Sequence, residues 1–194
     1  MSSKFDIAGE NWKRNPSPSM SPQQKDWLTR RGSLTWHLQL MGHVTLEVLS
    51  ECMVPADSDQ NGCLAVPLRA SLWMREVMLL VEGNPMVVAH SVTPLQDSRS
   101  IWKAMRRLHT RPLADILYFD RAVERSMLVN RLLFQGHRLY RCAMKYGRDP
   151  NLRSRLWARR SVFIRHGAPL LVTEAFLPRF WRSLYLRDRE YYER

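Results

Sequence analysis

The stretch Leu72-Trp73-Met74-Arg75-Glu76-Val77-Met78-Leu79-Leu80-Val81-Glu82-Gly83-Asn84-Pro85-Met86-Val87-Val88-Ala89-His90-Ser91-Val92 decides how this chain folds. Leu72–Val81 is apolar and β-branched, Glu82-Gly83-Asn84-Pro85 is turn chemistry, and Met86–Val92 is apolar again. That order predicts two strands joined by a tight turn. The same design recurs downstream. Arg75, Gly83-x-Pro85, Val88, His90 and Pro94 are matched at every offset by Arg159, Gly167-x-Pro169, Val172, Glu174 and Pro178. Trp157–Arg165 and Leu170–Phe176 therefore predict a second hairpin. Duplication and convergence on common turn chemistry explain the likeness equally well. Either way the pattern is α+β: a central antiparallel sheet of hairpins with inserted, flanking helices, not alternating βαβ units.

Simple counting across a two-residue turn sets 82 opposite 85 and 77 opposite 90. Arg75, Val77 and His90 are then expected on one face of the first hairpin, and Arg159, Ser161 and Glu174 on one face of the second. Glu174 lies in Leu170-Leu171-Val172-Thr173-Glu174-Ala175-Phe176-Leu177, and Arg75 in an equally apolar run. Burying either charge is costly unless it is paired. One explanation is an internal polar site, with a guanidinium to hold a carboxylate and a carboxyl group to handle a proton or a hydroxyl. The plain alternative is that both pair with other charges or turn out to solvent.

Working outward, residues 1–24 read as a flexible N-terminal arm, because Asn15–Pro22 has coil chemistry and little to bury. Ser21-Pro22-Gln23-Gln24 predicts a helix start, with a Ser cap, Pro at the first position and Gln at the third. Ser33-Leu34-Thr35 predicts a second, short helix. Val44–Val48 alternates as a strand, 54–66 reads as a loop, and 97–118 as helix broken at Pro112. Segment 121–146 is expected to be helical, and the C-terminal extension 179–194 to form a short helix. The domain proper is expected to span 25–178.

The chain has 194 residues, with 30 Lys+Arg against 18 Asp+Glu. All of the net +12 falls in 101–166, which holds 16 Lys+Arg and four acids (Asp115, Asp120, Glu124, Asp149). Such a segment suits nucleic acid, an anionic membrane surface or an acidic small molecule. No apolar run is long enough to span a bilayer, and the N-terminus lacks the apolar stretch of a secretory signal. Cys52, Cys63 and Cys142 lack metal-ligand spacing and fit a reducing cytoplasm. The six histidines show no HxH or HExxH pattern, so no metal site is expected. Dinucleotide and Walker fingerprints and a GxSxG elbow are also absent.

Several runs, taken together and in order, are similar to the chorismate pyruvate-lyase family. They are Asp26-Trp27-Leu28, Ser33-Leu34-Thr35, Leu72–Val77, Arg111-Pro112-Leu113-Ala114, Gly147-Arg148-Asp149, Trp157-Ala158-Arg159-Arg160-Ser161 and Gly167–Pro178. The resemblance covers roughly 25–178. It implies an α+β fold with an internal ligand cavity closed by helical flaps. The implied activity is elimination of pyruvate from chorismate to give 4-hydroxybenzoate for ubiquinone biosynthesis, with no cofactor. By motif, Arg75 would bind the ring carboxylate and Glu174 would sit at the hydroxyl end. Backbone groups of Leu34 and Leu113 would complete the site. With an apolar surround to raise its pKa, Glu174 would act as the proton donor to the departing ether oxygen.

The chain departs from the pattern in three places. His90 stands where the family often has an Arg that helps hold the substrate. Segment 121–146 is longer, and the tail after Pro178 is extended. Three readings follow. The first is a cytoplasmic, monomeric chorismate lyase with chorismate as partner, no nucleic acid, and contact with a membrane surface through its basic segment. The second is a non-catalytic module of the same fold that senses a small aromatic carboxylate. The third is a basic nucleic-acid or membrane-surface binder.

Overall fold

A computed structural model describes residue 7, residues 11–148 and residues 155–192. In chain order the elements are α1 (Pro22–Thr29), α2 (Leu34–Gln39), β1 (Val44–Pro55), α3 (Asn61–Leu64), β2 (Ser71–Val81) and β3 (Asn84–Pro94). There follow α4 (Leu95–Arg99), a 3-10 turn at Lys103–Arg107, α5 (Ala114–Leu117), β4 (Val123–Arg125), β5 (Val129–Leu133) and α6 (Arg138–Tyr146). The chain closes with β6 (Leu156–Arg165), β7 (Ala168–Phe176) and α7 (Pro178–Tyr192). One antiparallel sheet runs in the order β1-β2-β3-β7-β6-β4, and β5 also pairs with β6. The two expected hairpins thus lie side by side, joined through β3 and β7.

Both hairpin turns place two residues at positive φ: Glu82 (48°) with Gly83 (71°), and His166 (48°) with Gly167 (78°). This backbone twists with the strands and suits a two-residue turn. From there the copies diverge. In the second hairpin the pairing is regular from Arg165–Ala168 down to Ala158–Ala175, and Arg159 faces Glu174 directly. In the first, Leu80 faces Pro85 but Leu79 faces Val87, so Met86 is an extra residue. This β-bulge moves every later partner by one. His90 therefore sits opposite Glu76, and Val77 opposite Ala89. The expected pairings of 82 with 85 and of 77 with 90 are corrected accordingly: Glu82 and Gly83 form the turn with Val81 opposite Asn84, and the bulge turns His90 to the face opposite Arg75 and Val77.

The helices cover both faces of the sheet. On one face, Trp27, Leu28, Leu34 and Leu38 from α1 and α2 pack against Val87, Phe176 and Phe180. Beside them Trp102, Met105, Leu108 and Leu117 pack against Phe163, Leu170 and Val172. On the other face Met74, Met78, Val88, Leu171 and Ala175 form a core with Leu139 and Ala143 of α6. Burial of a leucine such as Leu28 or Leu38 stabilises by about 1.5–3 kcal/mol, so the paired first helices are anchored firmly to the sheet.

Three other expectations change. Segment 121–146 is helical only from Arg138 onward; before that it forms β4 and β5. Pairing with β6, and burial of Val129 and Leu133, override the local helical expectation. The arm expected over 1–24 is docked where it is described: Trp12 and Met20 are buried, and Lys13 exchanges backbone hydrogen bonds with Asn130 (2.9 and 2.8 Å). The rest of that expectation, on residues 1–6 and 8–10, lies outside the described residues. The start of the C-terminal extension joins the core, since the Phe180 ring lies 4.8 Å from those of Trp27 and Phe176. Among the described residues no helix is long and apolar enough to cross a membrane.

Candidate active site

Between the two clusters on the first face lies a cavity of about 60 Å³, several times the ~10–15 Å³ that one water needs. Its floor is the sheet: Leu46, Val77, Leu79, Ala89, Ser91, Phe163, Val172 and Glu174. Two flaps close it. Ser33, Leu34 and Thr35 come from the α1–α2 side, and Pro112, Leu113, Ala114, Leu117 and Tyr118 from the α5 side. The first flap is fixed by its caps. Ser21 Oγ accepts from Gln24 N while Gln24 Oε1 accepts from Ser21 N, and Ser33 Oγ accepts from Trp36 N. Each such cap satisfies a helix-end donor that would otherwise be orphaned.

Arg75 stands on the same face, opposite Ser91, whose side of β3 lines the cavity. It is 2% exposed. Its Nη2 donates to the His109 carbonyl (2.5 Å) and more weakly to that of Arg111 (3.4 Å), just before the second flap. Nε and Nη1 are buried with no hydrogen-bond partner among the described residues; Glu51, at 3.6 Å from Nε, provides only a loose ion pair. Burial lowers the Arg75 pKa from its ordinary value, and Glu51 opposes that shift. Arg75 is not itself among the residues that line the cavity, but its buried guanidinium keeps two donors that an anion could take.

Glu174 reaches the cavity from β7, but not in an apolar surround. Arg159 Nε donates to its carboxylate at 2.6 Å. Arg159 also donates to the carbonyls of Trp27 and Arg30 at the end of α1 (2.8 and 3.0 Å), so one guanidinium locks Glu174 and the first flap together. Leu34 and Leu113 both line the cavity, one from each flap. His90 does not join them. It is buried on the opposite face, where both ring nitrogens lack a partner among the described residues.

Two residues of the site were not foreseen. Arg125, at the end of β4, lines the cavity with Tyr118. Tyr118 Oη donates to the Gly32 carbonyl (2.7 Å), while Arg125 Nη1 donates to both Tyr118 Oη (2.7 Å) and Gly32 O (3.0 Å). Arg125 Nε donates to Ser161 Oγ (2.9 Å). This strap crosses from one flap to the other. The alternation Val123-Glu124-Arg125 was the available signal, hidden by the helical expectation for that segment. No group of three or more His, Cys, Asp or Glu among the described residues is arranged to hold a metal ion.

The family model described as chorismate lyase matches residues 9–185. A Bordetella avium protein named "Probable chorismate pyruvate-lyase" is 47% identical over 171 residues, covering 88% of this chain and 85% of its own. A Burkholderia pseudomallei protein named "Probable chorismate pyruvate-lyase 1" is 34% identical over 173 residues, covering 88% and 91%. Among solved structures, a GntR-family transcriptional regulator from Bacillus cereus matches with a TM-score of 0.51 at 10% identity, over 70% of this chain and 92% of that one. The C-terminal domain of Yurk from Bacillus subtilis matches at 0.52 and 13% identity, over 69% and 90%. These two share the fold alone, whereas the length of the family match and the identity to the curated relatives go further: the chain belongs to the chorismate lyase family.

Proposed function

We propose that the protein is a chorismate pyruvate-lyase that converts chorismate to 4-hydroxybenzoate and pyruvate. The observation that carries this reading, beside family membership, is the buried Arg75 guanidinium with Nε and Nη1 unused, on the sheet face where Glu174 lines the cavity. In the reaction the ether bond from ring C3 to the enolpyruvyl oxygen breaks and the C4 hydrogen is lost. The ring becomes aromatic, and the enolpyruvate released is protonated to pyruvate. Aromatisation makes the step strongly downhill, so orientation, charge placement and proton handling are the protein's task.

Arg75 binds the ring carboxylate through its unused Nη1, since the Nε–H points to the other edge of the guanidinium, where Glu51 lies. Glu174 accepts the C4 hydroxyl proton in a hydrogen bond, and Arg159 fixes the orientation of its carboxylate. This replaces the role of proton donor from an apolar pocket. Leu34 and Leu113 bring flap backbone against the two ring faces. One chain builds the whole cavity, which supports action as a monomer. The three free cysteines support a cytoplasmic setting. There the product would serve as the aromatic precursor of ubiquinone. The basic stretch 101–166 would attract the dianion and touch an anionic membrane.

The test is to incubate purified protein with chorismate and follow both products. Equimolar 4-hydroxybenzoate and pyruvate are expected. Glu174→Gln should lower kcat by about tenfold or more with an unchanged circular dichroism spectrum. Binding of 4-hydroxybenzoate with no release of pyruvate by the wild type would overturn the reading in favour of a sensor.

A further inference from the structure

Chorismate is a dianion, with one carboxylate on ring C1 and the other on the enolpyruvyl group at C3, adjacent to the C4 hydroxyl. If the ring carboxylate is on Arg75 and the hydroxyl at Glu174, the second carboxylate falls at the Glu174 end of the cavity. The charges at that end do not cancel: Arg125 and Arg159 face one carboxylate, Glu174. Arg159 is neutralised by Glu174 at 2.6 Å and is tied to two α1 carbonyls. Arg125 has no carboxylate within 4.0 Å among the described residues; neutral oxygens of Ser161, Tyr118 and Gly32 hold it. Those bonds use Nε and Nη1 alone, and the side chain lines the cavity.

Resting on the chorismate reading above, we propose that Arg125 binds the enolpyruvyl carboxylate and so sets the cavity's preference for a dianion over a monoanion. Burial pushes the Arg125 pKa down from its ordinary value, Arg159 acts in the same sense, and Tyr118 and Glu174 oppose. An anion beside it relieves that cost. The guanidinium is already oriented by its contacts with a serine, a phenol and a carbonyl, so little ordering is required when substrate arrives. Because Gly32 and Tyr118 lie on opposite flaps, the same residue reads the substrate's second charge at the seam where the flaps meet. 4-Hydroxybenzoate has no second carboxylate and makes no such contact.

The test compares the two ligands. Arg125→Ala should raise KM for chorismate by about tenfold or more, while the competitive Ki of 4-hydroxybenzoate moves by less than about threefold. Arg125→Lys keeps the charge without the fork and should fall between. It is judged by the same ratio should the alanine variant fail to fold. The inference is overturned by parallel weakening of both ligands or by an unchanged KM. If the wild type does not turn chorismate over, the Kd of the intact dianion replaces KM, so the activity and the role of Arg125 fail separately.

Discussion

Arg159 and Arg160 are neighbours on β6, both buried, and they enter opposite faces of the sheet. Arg160 is fully engaged. Nε and Nη2 donate to the Ile7 carbonyl (3.1 and 2.7 Å), and Nη1 donates to the Asp59 carbonyl (2.8 Å) and lies 3.2 Å from its carboxylate. Its guanidinium also stacks 4.3 Å above the Trp12 ring. Arg159 holds Glu174 and the first flap, yet its Nη2 has no partner among the described residues. Arg75, on that same face, has two such nitrogens. Sequence gives these arginines one appearance, a cation in an apolar strand. Their hydrogen bonds separate two kinds of arginine: where the nitrogens are engaged, the charge holds the chain together, and where donors are left over, the cation keeps capacity for an anion.

The sharpest way to break this contrast is to remove one guanidinium from each face. Arg160→Met should cost about 3–5 kcal/mol of unfolding free energy, because Asp59 loses a buried partner. Arg75→Met should cost under about 2 kcal/mol yet lower kcat/KM for chorismate by roughly 100-fold. Urea unfolding read beside initial rates checks both. Equal stability losses at the two positions would erase the distinction.

Acid sharpens it further, because the face that Arg160 enters carries His90 and Asp59. Burial pushes His90 down to about 3, and His137 adds to the shift. Burial alone would raise Asp59, but hydrogen bonds and charges from His137, Arg160 and Trp12 hold its carboxyl well below the usual range. Between pH 6.5 and about 3 the unfolded chain protonates His90 and the folded chain does not. Stability should therefore fall with pH across that window, by up to ~1.4 kcal/mol per unit. Asp59 acts in the same direction but only lower, its contribution being lost as pH drops below the ordinary carboxylate value of 3.8. His90→Leu should remove the upper window and leave the lower, as read from unfolding midpoints between about pH 2 and 7. The smallest effect is on the cavity side: Ser33→Ala removes the α2 cap and should cost about 1 kcal/mol, read as a lowered Tm.

Much of this was legible in the chain. Turn chemistry and β-branched runs gave both hairpins, and Ser21-Pro22-Gln23-Gln24 gave a capping box that the structure contains. Arg75 and Glu174 stood out because a charge in an apolar run demands an explanation. What escaped was long-range. β4 and β5 exist because β6 offers them an edge, and local helical propensity in 121–146 carries no trace of that edge. Arg125 was lost with them. The partner of Glu174 was half visible: Arg159 was expected on its face, but not that the two would be directly opposed.

The bulge at Met86 has a consequence for how this sheet can change over time. Between turn and cavity, one residue sets the frame in which β3 is displayed. Without it, the turn pairing of Val81 with Asn84 would continue and bring His90 opposite Arg75, as Glu174 is opposite Arg159. Ala89 and Ser91 would leave the cavity wall, and His90 and Val92 would enter it. A single deletion there rewrites the wall without altering any residue that touches it. Two copies of one hairpin pattern thus present opposite frames to a shared chamber, and the difference lies several residues away from the chemistry.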